Sequence, residues 1–325
     1  MSDEPIPAAI GLDVGGHGVR GVLIDSTGLA LADARGWIEG VEERGVEAVE
    51  ELVVGVVDEL RADAVSLGLA DPNSLPVGAG IPGFHDHVAG VLRSSPNFPG
   101  WEDLSVAARL AEALGTRVVV ENDASCALLG EVLAGAARGC RDVVLLTLGT
   151  GVGGGFLVEG GLLRGARGAG AEAGHIPIYP GGRRCGCGQK GCLEAYASGP
   201  GLVRTAHEAW GEEGGEGPCP AEAAIDVFAA EAEAGGPLPE LWASRAIERW
   251  CLDLAMGIAP LVHLFSPEAI VLAGGVSGAI ERIREPIERA LKARTIDACL
   301  GDALPIRAAE LGDLAGATGA AALVL

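Results

Sequence analysis

Lysine is nearly missing from this chain. Of its 23 basic residues only Lys190 and Lys292 are lysines, and 45 acidic residues take the net charge to −22. A surface this acidic repels phosphate backbones and anionic lipid, so nucleic acid and membrane surfaces are excluded as partners. A small anionic ligand needs only a local positive field and is not excluded. No run of about 20 apolar residues escapes interruption by glycine or charge, which argues against a membrane span. Residues 1–7 lack the basic and apolar regions of a signal peptide, so the expectation is a cytoplasmic protein. The phosphate-loop pattern G-x-x-x-x-G-K-[ST] is also missing, and no G-x-y period supports a collagen helix.

What is present is glycine, 52 of 325 residues, in a chain that is 49% hydrophobic and 21% charged. That composition builds a packed core, and the length suits about two domains. Apolar runs at 8–13, 19–25, 29–38, 77–81, 118–120, 143–148 and 269–273 read as strands. Helical spacing appears at 46–60, 104–114, 124–133 and from about 279. Strands alternating with helices give an α/β protein. Residues 13–25 also slide onto 147–159 without gaps. Gly15 meets Gly149, Gly21 meets Gly155, and Val22, Leu23 and Ile24 meet Phe156, Leu157 and Val158. Each copy is a strand, a glycine turn and a returning strand, as expected if the two halves are duplicates or simply two hairpins.

Five groups of residues carry chemistry. Asp13, Gly15 and Gly16 sit where a strand turns: backbone N–H groups there can approach phosphate and the carboxylate can hold a metal ion or its water. A plain hairpin turn is the simpler reading of those residues alone. Gly149, Thr150 and Gly151 open a G-x-G-x-x-G run, but the chain continues as a strand rather than a helix. This excludes a dinucleotide fingerprint and suits a phosphate-cradling hairpin. Gly274 and Gly275 end a strand before a helix with Ser277 or Gly278 near its cap, either a nucleotide edge or a tight corner. Glu121, Asn122 and Asp123 lie between a strand and a helix, where capping competes with a ligand-facing carboxylate. Finally, His175, Cys185, Cys187 and Cys192 fall in a glycine-rich loop; three thiols and an imidazole complete a closed tetrahedral zinc site. The other five cysteines are read as inert thiols. His85, His87, His207 and His263 have no recognisable partners, and Trp101 reads as a packed loop aromatic.

In this order the motifs resemble the ROK family (repressor, open reading frame, kinase), and within it the bacterial glucokinase-like sugar kinases. The segments E-N-D-A, T-L-G-T-G-V-G-G-G, E-A-G-H and C-G-C-G-Q-K-G-C-L-E carry the resemblance. It implies a two-lobed actin-like ATPase or sugar-kinase fold, with duplicated ribonuclease H-like lobes around a closing cleft and a zinc-binding loop. The expected division is a small N-terminal lobe at 1–121, to which a helix at about 306–325 returns, and a larger lobe at 122–305 with the zinc loop at 175–192. The resemblance makes Asp123 the general base. It makes Asn97, Asn122, Glu172, His175 and Glu194 the sugar ligands. It assigns Asp13, Gly15, Gly16, Gly149, Thr150 and Gly151 to ATP phosphates and Mg²⁺, and Gly274 and Gly275 to adenosine. A homodimer is implied as well.

The implied activity is ATP-dependent phosphorylation of a hexose 6-hydroxyl, glucose first, as in glycolysis. Fructose or an N-acetylhexosamine as acceptor, and polyphosphate as donor, are the alternatives. A sugar-responsive repressor of the family would carry a winged helix-turn-helix before residue 8; a silent sugar-binding regulator would not need Asp123. One departure stands out. The family's D-x-G-G-T-K has His17 and Gly18 in place of Thr and Lys, and restoring those two residues is expected to preserve or improve ATP use.

Overall fold

The computed structural model describes residues 8–37, 41–69, 71–95, 98–233, 241–301 and 304–325. The chain opens with the expected hairpin, β1 (Ala8–Gly15) and β2 (Gly18–Asp25), followed by β3 (Ala30–Trp37). Helix α1 spans Val41–Ser66 but bends at Gly45, whose φ of 75° no helix contains, so its regular part starts where the apolar spacing does. Then come β4 (Val77–Gly80), the short ribbon β5 (Phe84–Asp86) and β6 (Val91–Ser94), and α2 (Val106–Leu114), closed by left-handed Gly115. Next are β7 (Val118–Glu121), α3 (Asp123–Ala134), β8 (Val143–Leu148), β9 (Val152–Val158) and β10 (Gly161–Leu162). The helices α4 (Glu194–Ala197), α5 (Gly199–Glu212), α6 (Ala224–Glu233) and α7 (Leu241–Phe265) precede β11 (Ala269–Ala273). Last are α8 (Ile280–Lys292), α9 (Asp297–Leu300), β12 (Ile306–Ala308) and α10 (Ala315–Ala322).

Contacts divide the chain into two compact units. One holds residues 1–140, 155–171 and 310–325; the other holds 141–154 and 172–309. The first unit's sheet runs β3-β2-β1-β4-β7, antiparallel through β1 and β2 and parallel from β1 to β7. Its core lies under α1, where Ile10, Leu12 and Val14 pack with Val53, Val57 and Leu60. The opposite face meets α10 through Ala9, Val22 and Ile24 against Ala317 and Ala321. That approach is close enough to demand glycine. A Cβ on Gly11 would strike the Ala317 carbonyl, and one on Gly319 the Cys126 carbonyl of α3. Part of the chain's glycine therefore serves helix-to-sheet and helix-to-helix contact, beside the glycines at positive φ that serve turns.

The second sheet runs β10-β9-β8-β11-β12 and repeats the first one's plan: opening strand central, its hairpin partner and a third strand to one side, two parallel strands to the other. Three residues link β8 to its neighbour β9, a length only an antiparallel hairpin allows. The sliding match between 13–25 and 147–159 is thus the trace of a duplicated topology. Residues 143–146 and 270–272 are fully buried, as parallel strands covered on both faces should be. The returning C-terminal segment differs from the expected helix over 306–325. Residues 306–308 form a strand pairing β11, and the helix is confined to Ala315–Ala322 in the first unit. Alternation at Ile306-Arg307-Ala308 suits a strand, and Gly312 at φ 54° delays the helix.

Candidate active site

In the first unit the chemistry gathers where β1 and β7 end. Asn122 caps α3: its side-chain carbonyl accepts from the N–H groups of Ala124 (3.0 Å) and Ser125 (3.1 Å). The capping reading of Asn122 is therefore correct, and it does not displace Asp123, the next residue, whose carboxyl stands at the positive end of the helix. Burial raises the Asp123 pKa, although the Ala124 N–H opposes the shift. Asp13 is partly buried nearby and rises to about 6, through burial first and the Asp123 charge second, with Arg20 pulling the other way. Both carboxylates hold their protons to higher pH than an ordinary aspartate, chiefly through burial, which gives them more base strength near neutrality.

This carries a stability consequence. The folded state holds the Asp13 proton more tightly than the unfolded chain, so ionising Asp13 costs folding energy that is absent below about pH 4 and in full force above about pH 6. Part of the side chain is wetted, so a cost on the order of 1–2 kcal/mol is expected. Asp13→Asn should therefore melt a few degrees higher than wild type near pH 8 and at the same temperature near pH 4, as thermal denaturation would show.

Sequence reasoning missed the group behind Asn122. Glu121 is 2% exposed and accepts from Asn122 N–H (2.8 Å) and Arg164 Nε (2.6 Å), with His87 Nε2 at 3.2 Å. His87, read as partnerless, thus helps hold the strand end that presents Asn122 and Asp123. His85 is partnered too, through Ile81 O at 2.8 Å, and burial lowers its pKa. Glu131, fully buried in α3, binds the N–H groups of Ala136, Glu310 and Leu311 and anchors the returning chain. An acidic residue in a helix gives no sequence sign that two of its partners are backbone amides 179 and 180 positions away. Asn97 lies outside the described residues. Trp101 is buried and stacks on Phe98 as expected.

The turn after β1 is tight: Gly15 pairs Gly18 across Gly16 and His17. A Cβ on Gly18 would fall on the Gly36 carbonyl of β3 and 3.2 Å from the Trp37 Cα. This overturns the expectation for restoring Thr and Lys. His17→Thr on the exposed tip is tolerated, but adding Gly18→Lys should cost about 1–3 kcal/mol of stability and raise the ATP KM. Melting curves of the single and double variants separate the two effects.

In the second unit, the Gly149-Thr150-Gly151 turn is closed by Gly149 N–H to Gly151 O (3.1 Å), and Gly153 N–H donates to Thr147 Oγ1 (3.1 Å). A cavity of about 1110 Å³ opens on this turn, walled by Val203, His207, Ile225, Phe228 and Val276. Gly275 lines it as well; Gly274, at φ 86°, lies against the Leu148 carbonyl with no room for a Cβ. The residues after it form a 3-10 turn over Gly275–Ala279, so α8 starts later than a cap at Ser277 or Gly278 would place it, and Ser277 Oγ donates to Gly274 O instead (2.7 Å). The walls from α5 and α6 carry no motif and were not foreseen, His207 among them.

The donor atoms of His175, Cys185, Cys187 and Cys192 all lie within 4.8 Å of one another. Cys187 Sγ to Cys192 Sγ is 3.7 Å, and Cys185 Sγ to His175 Nδ1 is 3.7 Å. A tetrahedral zinc with bonds of about 2.3 Å to sulfur and 2.0 Å to nitrogen sets such edges at about 3.5–3.8 Å, so this set fits the ion. Nδ1 faces the thiols and Nε2 faces Glu172 at 4.0 Å. Glu194 stands beside the cluster, with Oε1 3.3 Å from Cys185 Sγ and Oε2 accepting from Val152 N–H at 3.1 Å. The other cysteines form no disulfide, and burial raises Cys126 and Cys251, which keeps both thiols unreactive.

Twin sheets of one strand order, each with a glycine hairpin after its first strand, define the actin-like ATPase and sugar-kinase fold. The chain belongs to the ROK family, whose sequence profile matches residues 9–325. A glucokinase of Thermotoga maritima is 35% identical over 256 residues, 76% of this chain and 78% of that protein. The ROK hexokinase of Thermus thermophilus superposes with a TM-score of 0.78 at 35% identity, covering 97% of this chain and 96% of that one. A ROK family glucokinase from Streptomyces griseus, solved with glucose and AMPPNP, gives 0.73 at 32% identity, with 97% and 98% covered.

Proposed function

We propose that this protein is an ATP-dependent hexose kinase, with glucose as its first acceptor, and that its two units are the kinase's two lobes. The observation that carries the reading is Asp123: a carboxylate at a strand end and helix start, with its pKa raised, in a chain that also offers a nucleotide-sized cavity on a glycine turn. The sugar 6-hydroxyl donates to Asp123. As its oxygen bonds to the γ-phosphorus the proton passes to the carboxylate, and the bond to the bridging oxygen of ADP breaks. Such transfer asks mainly for positioning and charge neutralisation. Asp13 would hold Mg²⁺ or one of its waters, and the ion supplies positive charge to the donor phosphates.

Asn97, Asn122, Glu172, His175 and Glu194 are the proposed sugar ligands. Asn122 has its carbonyl engaged by α3 and its NH₂ group shared between Gly83 O (3.4 Å) and the Asp123 carboxylate, so a sugar oxygen would take over part of that donation beside the base. Glu194 has Oε2 engaged by Val152, and its Oε1, which accepts from the Cys185 thiol, would turn to a sugar hydroxyl once zinc takes that sulfur as thiolate. Gly15, Gly16, Gly149, Thr150 and Gly151 take the phosphates, with adenosine in the cavity past Gly274 and Gly275. His175, Cys185, Cys187 and Cys192 hold a structural zinc. Eight cysteines without a disulfide suit a cytoplasmic location. A homodimer belongs to the same reading, and sedimentation tests it. The deciding experiment is a coupled assay over glucose, fructose, mannose and N-acetylhexosamines with ATP and polyphosphate. Glucose with ATP should give the highest kcat/KM, and no turnover with any pair would end the kinase reading.

A further inference from the structure

The hairpin of the first unit carries a row of charge that the reading above leaves unused. Register sets Asp13 opposite Arg20 on β2, and Arg20 opposite Arg35 on β3. Opposed residues project from one face of a sheet, so a carboxylate and two guanidinium groups line up over three strands, about 10 Å from end to end. Farther along, this is the face that α10 covers. At the Asp13 end of the row stands the first turn of α10, with Gly316 against the Asp13 carboxyl, and Asp313 sits in the turn before the helix. A cavity of about 180 Å³ lies there, lined by Asp13, Gly15, Gly16, Arg20, Arg35 and Trp37 among others.

The two arginines repel, and the carboxylates around them are shared unevenly, with Asp13 and Asp313 both beside Arg20. Arg20 gives Nη1 to Asp313 O (2.7 Å) and Nη2 to the Asp313 carboxylate (3.1 Å), which is itself 73% exposed. Its Nε is buried without an acceptor, and a buried N–H in that state calls for a partner. Arg35 is exposed and pairs with no described residue. Asp33, two residues back on the same face of β3, is the further carboxylate in reach, and His17 stands at the turn.

We propose that Arg20 and Arg35 form a phosphate subsite beside Asp13, which takes the oxyanions of a phosphate chain running out from the Gly15-Gly16 turn. Guanidinium forks match phosphate oxygens in geometry as well as charge. A cation cannot come from position 18, because a Cβ there meets the β3 backbone, and β2 and β3 supply it from the sheet face instead. The ligand is an oligophosphate, either the tail of a nucleoside triphosphate or an inorganic chain. The inference rests on reading the turn as a phosphate turn, but its test requires no turnover.

Calorimetric titration of the whole protein with AMP, AMPPNP and inorganic tripolyphosphate, in the presence of Mg²⁺, decides it. Arg35→Gln removes an exposed side chain without contacts, so the fold is kept. It should weaken AMPPNP binding about tenfold, the loss of one charge-assisted bond, and leave AMP unchanged. Arg20→Gln should act in the same direction, with its melting curve as control for the lost Asp313 bonds. A loss for AMPPNP alone assigns the subsite to the nucleotide tail; a loss for tripolyphosphate also extends it to inorganic chains. Wild-type affinity of Arg35→Gln for both phosphate chains, an equal loss for AMP, or no wild-type binding of either chain overturns the subsite. If Arg35-dependent binding persists while no sugar is phosphorylated, the subsite stands and the kinase reading falls.

Discussion

Asp123→Asn is expected to lower kcat by about 10²–10⁴-fold while the sugar affinity stays within a few-fold of wild type. The amide has the carboxylate's shape and can still accept a hydrogen bond from the 6-hydroxyl, but it cannot take the proton. The fold survives, because the α3 cap belongs to Asn122 rather than to Asp123. Losing one of two repelling carboxylates should leave the melting temperature unchanged or raised, which separates a catalytic defect from an unfolded one. In wild type the same groups set the acid limb of the pH profile. Transfer needs the carboxylates ionised and both are shifted upward, so kcat should fall as pH drops through about 6, well above an ordinary aspartate. A variant with near-wild-type kcat removes Asp123 from the base role; an acid limb near pH 4 removes the shifted pair from the rate.

Zinc removal is expected to raise the sugar KM about tenfold or more while the ATP KM changes little. The ion would fix His175 through Nδ1 and so aim Nε2 toward Glu172, and it would fix Cys185, against which Glu194 rests. Loss of one well-placed charged contact to a sugar hydroxyl is worth about 1.5–3 kcal/mol. The root of the loop has other anchors: Tyr179 O–H to Asp253 (2.7 Å), Leu193 N–H to Ile176 O (2.9 Å) and the Arg183 guanidinium over the Tyr196 ring. Sugar binding should therefore weaken before the unit unfolds. Cys187→Ser tests this without a chelator, since Cys187 is the exposed ligand. Metal analysis should find one zinc per chain in wild type and much less in the variant. A zinc-free wild-type protein with full sugar affinity would refute the role.

The two tests draw on different kinds of legibility. The cluster of His175, Cys185, Cys187 and Cys192 was readable because it is near in sequence: eight residues hold three of the four, and glycine turns such as Gly188 (φ 88°) and Gly191 (φ 83°) fold them onto His175. Asp123 was singled out as the base by the family resemblance; its own neighbours, a strand end followed by Asn, left capping and a ligand-facing carboxylate both open. Glu121, Arg164, His87 and Arg20 were not readable. Their partners come from other strands and loops, and an isolated charge on a strand reads as a solvated face.

Local signals in the sequence determined the strands, the main helices, the glycine turns, the histidine–cysteine cluster and the trace of duplication, because each depends on period, spacing or backbone freedom within a few residues. Only the tertiary structure decided which charges stand together and where the tail of the chain goes. Sheet register sets Asp13, Arg20 and Arg35 in one row, the α5 and α6 walls enclose the cavity, and the C-terminal helix lies against Gly11 and Gly78, where no Cβ fits. Those arrangements arise from close packing between segments far apart in the chain, and packing has no period that a linear sequence displays.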